Sequence, residues 1–428
     1  MCAPTVSAES FFDALDPFGM ELGLERMRAL LRALGEPQRG LHVLQIAGTN
    51  GKGSAAATAS ALLRAAGSKV GLYTSPHLVR LSERIQIDGR EIDEAALAAG
   101  VERLRRAMQS TGLRPTYFEA LTAVAIDHFA REGVDVAILE VGLGGRLDAT
   151  SAVAPEVAII TRIALDHTAL LGATLASIAR EKAAILKAGT RAFIARQPDE
   201  AREVIAWQAA EQGAECLFAG QDFALKPEGS AGDRSLFFED KGKVRVGPLR
   251  LALEGDHQID NAEVAIAAAL ALSSRIEGER LRRGLLDVVW PGRFQTVACQ
   301  PITVVDGAHN PDGARALAQT CLLRFPAARP RLVFSALADK DVSGVAEQLF
   351  PLARSIHLVA LDNPRALTMG ALAAHARERG TAFDCHEALS SALGRARELA
   401  LADGPDGWVL AAGSLYLVGE VLALMGRV

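Results

Sequence analysis

The stretch "HVLQIAGTNGKGSAAATASALLRAAG" (42–67) decides the fold. Residues 42–47 form a short apolar run of strand composition, and the alanine-rich 54–66 has helix composition. Between them lies "GTNGKGS", Gly48–Ser54. This loop departs from the phosphate-binding pattern G-x-x-x-x-G-K-[ST]. Ile46 stands where the first glycine belongs, and Gly53 follows Lys52, so the hydroxyl of Ser54 comes one residue late. The location still suits a phosphate. Gly48, Gly51 and Gly53 free the backbone to curl, and its N–H groups with a helix N-terminus can face an anion. Lys52 adds positive charge, and Thr49, Asn50 and Ser54 add polar groups. The plain alternative is a glycine-rich turn between a strand and a helix.

Outward from this loop, short apolar runs alternate with helical patterns. "VGLYT" (70–74), "VDVAILEV" (134–141) and "EVAIIT" (156–161) read as strands, with helices near 92–108, 117–131 and 174–187. Such alternation predicts a parallel sheet covered on both faces. Residues 222–252 carry turn residues and short alternating runs, which predict a small antiparallel excursion. Helices resume at 258–273 and 276–288. Strand patterns then restart at 302–306, 331–337, 355–361 and 407–414. The expected class is therefore α/β with two domains. Residues 1–296 form a P-loop-type, mostly parallel sheet with helices on both faces plus the excursion. Residues 297–428 form a Rossmann-like α/β domain.

The size agrees: 428 residues exceed one typical core. Hydrophobic residues at 50% and charged residues at 23% suit a globular chain. With aromatics at only 5%, alanine, leucine and valine must supply most of the core. A net charge of −5 without a long basic run argues against nucleic acid as partner, though not against an anionic substrate at a locally basic site. Cys2, Cys216, Cys299, Cys321 and Cys385 are scattered and form no C-x-x-C, so neither a disulfide framework nor a cysteine zinc site is expected, and a reducing cytoplasm fits. The first 20 residues lack a continuous apolar run and do not read as a signal peptide. The apolar stretch 408–426 is interrupted by Glu420 and glycines, and reads as strand, turn and helix rather than a membrane span.

Polar residues gather at the strand ends, where open parallel sheets collect ligands. Ser75 and His77 follow strand 70–74, Glu140 closes 134–141, and Asp166 and His167 follow 156–161. Each alone is most simply a cap, an ion-pair partner or a packed imidazole. Together, Ser75, Glu140 and His167 could hold magnesium or manganese with mixed oxygen and nitrogen donors.

The ordered motifs extend further: "YTSPHL" (73–78), "TYFE" (116–119), "EVGLGGRLDAT" (140–150), "DHTALLG" (166–172), "REKAAILK" (180–187), "GDHQIDNA" (255–262), "PGRFQ" (291–295), "DGAHNPDG" (306–313) and "GSLYLVGEV" (413–421). With the opening loop, this set closely resembles the folylpolyglutamate synthase / dihydrofolate synthase family, within the Mur-ligase-like amide ligases. The resemblance implies an enzyme that joins L-glutamate to the carboxylate of a pterin acid with ATP, through an acyl phosphate. It implies Mg²⁺ as cofactor; ATP, L-glutamate and dihydropteroate or a reduced folate as partners; and a cytoplasmic monomer without membrane attachment.

Carried over residue by residue, Gly48, Thr49, Asn50, Gly51, Lys52, Gly53 and Ser54 would hold the ATP phosphates. Asn261 and Arg293 would contact ATP, and Asp306 and His309 would complete the nucleotide site from the second domain. Ser75, Glu140 and His167 would ligate magnesium. Lys182 matches a lysine that the family carbamylates, which would make it a further ligand; otherwise Glu181-Lys182 is a solvated helix pair. Thr116, Phe118, Glu119, Leu147, Asp148 and Ala149 would contact the pterin acid. The catalytic group would be Lys52, Lys182, Glu140 and His167. Two positions depart from the family pattern: Ser151 replaces the usual Asn after "DAT", and Ala184 replaces the usual Gly after "EKA". Several readings remain open at this point: a bifunctional synthase, a folylpolyglutamate synthase alone, a Mur-type peptidoglycan ligase, and a nucleotide-binding switch without catalysis.

Overall fold

The computed structural model describes residues 8–15, 23–229, 234–241 and 244–426. Cys2 and much of the N-terminal stretch read above lie outside them, as do short parts of 222–252. Two compact units emerge. The first comprises Met1–Ile163, Ala173–Ala252 and Ile259–Val288; the second comprises Ala164–Gly172, Leu253–Gln258 and Val289–Val428. Two short segments that precede residue 289, Ala164–Gly172 and Leu253–Gln258, thus belong to the second unit.

The first unit is built on β1 (His42–Ala47), β2 (Val70–Tyr73), β3 (Ile85–Ile87), β4 (Arg90–Glu91), β5 (Val136–Glu140), β6 (Val157–Ile160), β7 (Arg191–Ile194) and β8 (Glu215–Phe218). Their order is β4-β3-β2-β5-β1-β6-β7-β8. Pairing is parallel from β2 to β8, while β3 and β4 are antiparallel additions at one edge.

Strand alternation explains how both faces are buried. Leu44, Ile46, Ile138 and Ile159 point to one core, joined by Ala55, Ala56, Ala59, Leu62 and Leu63 of the helix Lys52–Ala65. Val43, Ala137, Leu139 and Tyr73 point to the other, covered by the helices Glu94–Thr111 and Tyr117–Glu132. Each fully buried Leu, Ile or Val contributes about 1.5–3 kcal/mol. Alanine along Lys52–Ala65 leaves its backbone close to the sheet, so the loop before it is anchored by a fully packed helix.

The excursion is a three-stranded antiparallel sheet of β9 (Phe223–Glu228), β10 (Ser235–Asp240) and β11 (Val244–Leu249), in the order β11-β10-β9. Glu263, on the helix Asp256–Leu272, is bonded to it. One carboxylate oxygen accepts the Leu225 N–H and an Arg196 N–H, each at 2.9 Å. The other oxygen is buried and has no hydrogen-bond partner among the described residues. Burial therefore pushes the Glu263 carboxyl up to about 7, against the pull of the Leu225 N–H and Arg196. A raised carboxyl favours the folded state below its unfolded value, and that advantage fades as pH rises through 7. Glu263→Gln removes the titration. The Tm difference between variant and wild type should move in the variant's favour between about pH 5 and 8. A pH-independent difference would show that Glu263 does not titrate there.

The second unit holds β12 (Gln295–Cys299), β13 (Ile302–Asp306), β14 (Arg331–Phe334), β15 (Ser355–Val359), β16 (Phe383–His386) and β17 (Trp408–Ala412), in the order β12-β13-β17-β14-β15-β16. All pairs are parallel except β12 with β13, so an α/β sheet carries one antiparallel edge. The stretch 408–426 is β17 followed by the helix Leu415–Leu424, and among the described residues no helix is long and apolar enough to cross a membrane. Four cysteines are described, Cys216, Cys299, Cys321 and Cys385, and all are free.

Candidate active site

In the first unit the candidate residues follow from strand register. β5 lies between β2 and β1, with Tyr73 opposite Leu139 and Ile46 opposite Glu140. The carboxyl ends of these strands therefore release Ser75, Glu140 and the Gly48–Ser54 loop side by side. The Ser75 N–H donates to Glu140 Oε2 at 3.1 Å, and Glu140 is buried.

The loop curls as its glycines allow. Gly51 has φ +88° and is the N-cap of the helix Lys52–Ala65, to which it brings no side-chain cap. A Cβ on Gly51 would overlap the Asn261 side chain, and one on Gly48 (φ +149°) would overlap Thr161. Neither position admits another residue without moving its neighbour. Thr49 and Asn50 donate N–H groups to the Arg162 carbonyl at 3.0 and 3.4 Å. Lys52 Nζ folds back on the Thr49 carbonyl at 3.3 Å. Gly53 and Ser54 are buried in the first helical turn. A curled backbone, a helix start with glycine at its N-cap and a half-buried ammonium make a cradle suited to phosphate.

Lys182 is buried on the helix Leu175–Ala183, so the solvated-pair reading does not hold for it. Its neighbour Glu181 pairs with Arg146 at 2.9 Å and accepts the Arg146 N–H on its carbonyl. Gly145, at φ +157°, packs against the Glu181 and Lys182 carbonyls. The "GLGG" segment is thereby fitted to the helix that carries Lys182.

The expected pterin contacts divide. Thr116 and Glu119 form a capping box: the Glu119 N–H donates to Thr116 Oγ1 at 3.3 Å, and the Thr116 N–H donates to Glu119 Oε2 at 2.8 Å. Glu119 also pairs with Arg26 at 2.7 Å. Asp148 is buried and spends both oxygens on its own loop. It accepts the Gly142 and Leu143 N–H groups at 3.0 Å and the Thr150 N–H and hydroxyl at 3.0 and 2.6 Å. Burial raises its carboxyl, opposed by these bonds. Ala149 is buried in the core, and Leu147 is half-buried. Phe118 is half-buried, tilted against Tyr73 with centroids 5.9 Å apart, and lies over Gly142, where a Cβ would meet its ring at 2.6 Å. Ser151, one departure from the family pattern, accepts a bond from Gln45 at 2.9 Å. At the other, the Ala184 carbonyl accepts from Lys187 at 2.7 Å.

The second unit brings together His167, Asp166, His309, Asn310 and Lys340. Lys340 Nζ lies 2.7 Å from Asp166 Oδ1 and 3.0 Å from His167 Nε2. Asn310 Nδ2 donates to Asp166 Oδ2 at 3.1 Å, and His309 Nε2 is 3.7 Å from the same oxygen. Burial would raise the Asp166 carboxyl, but His309, Lys340 and His167 outweigh it and hold it well below the usual carboxylate range. His167 adopts φ +50°, left-handed for a non-glycine residue. Asp306 is buried at the end of β13 and accepts the Phe294 and Ala308 N–H groups at 2.8 Å each. Arg293 donates to the Gly292 carbonyl at 3.0 Å. Asp306 thus fixes the turn carrying Arg293, a positioning task rather than a free acceptor. Lys340 was not singled out from sequence; its signal is "DKD" (339–341) directly after an apolar run.

Ser75 and Glu140 supply oxygen donors that fit a hard divalent cation. His167, expected as their partner, belongs to the second unit, where Lys340 occupies its Nε2.

Comparison with known proteins then gives two family matches. "Mur ligase middle domain" covers residues 46–269, and "Mur ligase, glutamate ligase domain" covers residues 292–415. The chain is 38% identical to the probable bifunctional folylpolyglutamate synthase/dihydropteroate synthase of Haloferax volcanii over 96% of this chain and 49% of that protein. It therefore spans about half the length of that relative. It is 35% identical to the dihydrofolate synthase/folylpolyglutamate synthase of Escherichia coli over 99% of this chain and 96% of that protein. Among solved structures, Mycobacterium tuberculosis folylpolyglutamate synthase complexed with ADP superposes with a TM-score of 0.92 at 35% identity, covering 98% of each chain. E. coli FolC in complex with DHPP and ADP superposes with a TM-score of 0.88 at 34% identity, covering 100% of this chain and 98% of that one. Coverage this complete, over the same ordered motifs, places the chain in the folylpolyglutamate synthase / dihydrofolate synthase family of Mur-type ligases.

Proposed function

We propose that this chain is an ATP-dependent ligase that adds L-glutamate to dihydropteroate and, in further rounds, to a reduced folate. The observation that carries this reading is the Gly48–Ser54 cradle beside the Ser75–Glu140 pair, in a chain superposable on relatives solved with ADP and DHPP. A carboxylate is a poor acylating agent. Transfer of the ATP γ-phosphoryl group to it gives an acyl phosphate; the glutamate amine then attacks the acyl carbon, and phosphate leaves as the amide forms. The protein's task is mainly positioning and charge compensation.

The loop and Lys52 bind and orient the phosphates, with Asn261 holding Gly51 in its curled form. Ser75 and Glu140 would hold Mg²⁺, which supplies charge neutralisation on the phosphates. The third expected ligand, His167, has its Nε2 engaged by Lys340 within the second unit. The buried Lys182, if carbamylated, would present a carboxylate instead of an ammonium and add a further ligand. Phe118 offers its ring to the pterin, while Thr116, Glu119 and Asp148 shape the surrounding backbone. In the second unit, Arg293 and His309 serve the nucleotide, and Asp306 holds the turn that carries Arg293.

ATP-dependent incorporation of labelled glutamate, with dihydropteroate and tetrahydrofolate as separate acceptors, tests this. Incorporation into both supports the bifunctional reading. Incorporation into tetrahydrofolate alone restricts the chain to folylpolyglutamate synthesis, and incorporation into neither overturns the proposal.

A further inference from the structure

At the β15–β16 edge of the second sheet, three ligand-type side chains converge. His357 lies opposite Asp384 in the parallel register, and His386 follows two residues later on the same face of β16. His357 Nδ1 is 3.2 Å from His386 Nε2 and 3.8 Å from Asp384 Oδ2. The ligand atoms of all three lie within 4.8 Å of one another. We propose that His357, Asp384 and His386 form a binding site for a borderline divalent transition metal, with Zn²⁺ the best fit, that clasps edge strand β16 to β15.

The separation carries the argument. Two nitrogens each about 2.0–2.1 Å from a tetrahedral zinc sit a little over 3 Å apart. The observed nitrogen pair already has that spacing, and a small movement of the exposed Asp384 brings in its oxygen. The outer ring nitrogens are also held. His357 Nε2 is 3.0 Å from Ser355 Oγ, and His386 Nδ1 is 3.3 Å from Ser391 Oγ. A hydroxyl accepting the outer N–H fixes the tautomer and leaves the inner lone pair for a metal. Ser355 Oγ accepts from Arg331 at 3.1 Å and has a second lone pair for that role.

The donor set selects the ion. Two imidazoles and one carboxylate suit zinc, cobalt or nickel, whereas magnesium prefers all-oxygen shells. His357 is fully buried, His386 half-buried and Asp384 exposed, so the site is anchored inside and open to entry from solvent. Water would complete the fourth position. The site uses no cysteine, so cysteine spacing gave no sign of it. The plain alternative is a His357–His386 hydrogen bond with one shared proton.

The test uses the full chain, stripped with a chelator and titrated with Co²⁺. The expected result is one cobalt per chain with intense visible absorption, as for low-coordinate nitrogen ligation. The band should vanish in His386→Gln, and affinity should fall by about 10–100-fold in Ser391→Ala. It should persist in Glu140→Gln, which separates it from the oxygen-rich candidate site. Zn²⁺ should displace the band and raise Tm in wild type but not in His386→Gln. Absence of the band in folded wild type, or an equal band in His386→Gln, would overturn the proposal and leave the hydrogen bond alone.

Discussion

Lys52→Ala is expected to lower ligation by roughly 10³-fold or more and to leave the fold intact, because in the proposed reaction the ammonium would serve the phosphates and not the core. The structural half follows from its surroundings. Lys52 is half-buried, and among the described residues its ammonium bonds to the Thr49 carbonyl at 3.3 Å, within its own loop. Losing such a bond costs at most about 1 kcal/mol. The helix behind it is secured by Ala55, Ala56, Ala59, Leu62 and Leu63, which the substitution does not touch. The kinetic half follows from charge development. In the proposed reaction, phosphoryl transfer would build charge on oxygens held by the loop, and a fixed cation in a half-desolvated cradle is worth far more there than in water. Lys52→Arg should not rescue, because a planar fork replaces a compact point charge. Steady-state rates with ATP and glutamate, beside thermal melts, separate the two halves. Near-normal turnover in a folded Lys52→Ala protein would remove the loop from the chemistry.

The loop could be read so far ahead because its signals agree. A strand, a glycine-rich curl and an alanine-rich helix are each local, and the register then places Glu140 beside Ile46. Other features were hidden by context. β7 and β8 are short and begin with Arg191 and Glu215, so their strand character comes from pairing outward from β6 rather than from pattern. The antiparallel β3 and β4 are shorter still. "TYFE" shows a different limit. Thr116 and Glu119 are spaced as a capping box, and the structure uses them so, a local role that stands beside the substrate contact the resemblance implies. Asp148 is similar: its four bonds to its own loop are invisible in sequence. Lys340 was missed because its partner Asp166 is 174 residues away, a distance no local pattern spans.

That distant pair carries the other large effect. Asp166→Asn is expected to destabilise the protein by about 3–5 kcal/mol, since it strips the counter-charge from a buried ammonium. The side chains of Asp166 and Lys340 are only 9% and 7% exposed. In wild type the Asp166 carboxylate receives Lys340 and Asn310, and its Oδ1 also accepts the His167 N–H at 2.8 Å. These contacts hold His167 at its left-handed φ, a geometry that costs about 1–3 kcal/mol and persists only when neighbours enforce it. Asparagine keeps the shape but not the charge, leaving Lys340 beside two imidazoles. Adding Lys340→Met should recover most of the loss, because the penalty lies in the orphaned cation rather than in the missing bond. The pH dependence has a definite sign. Asp166 is held below its ordinary value, so its contribution is complete above that value and is lost as pH falls through the lowered one. Wild type should therefore lose stability in acid through this site, and Asp166→Asn should not. Urea denaturation of wild type, both single variants and the double variant at several pH values measures the cycle. A cost below about 1 kcal/mol for Asp166→Asn, or strict additivity with Lys340→Met, would mean that the pair is solvated and does not hold Ala164–Gly172 in place.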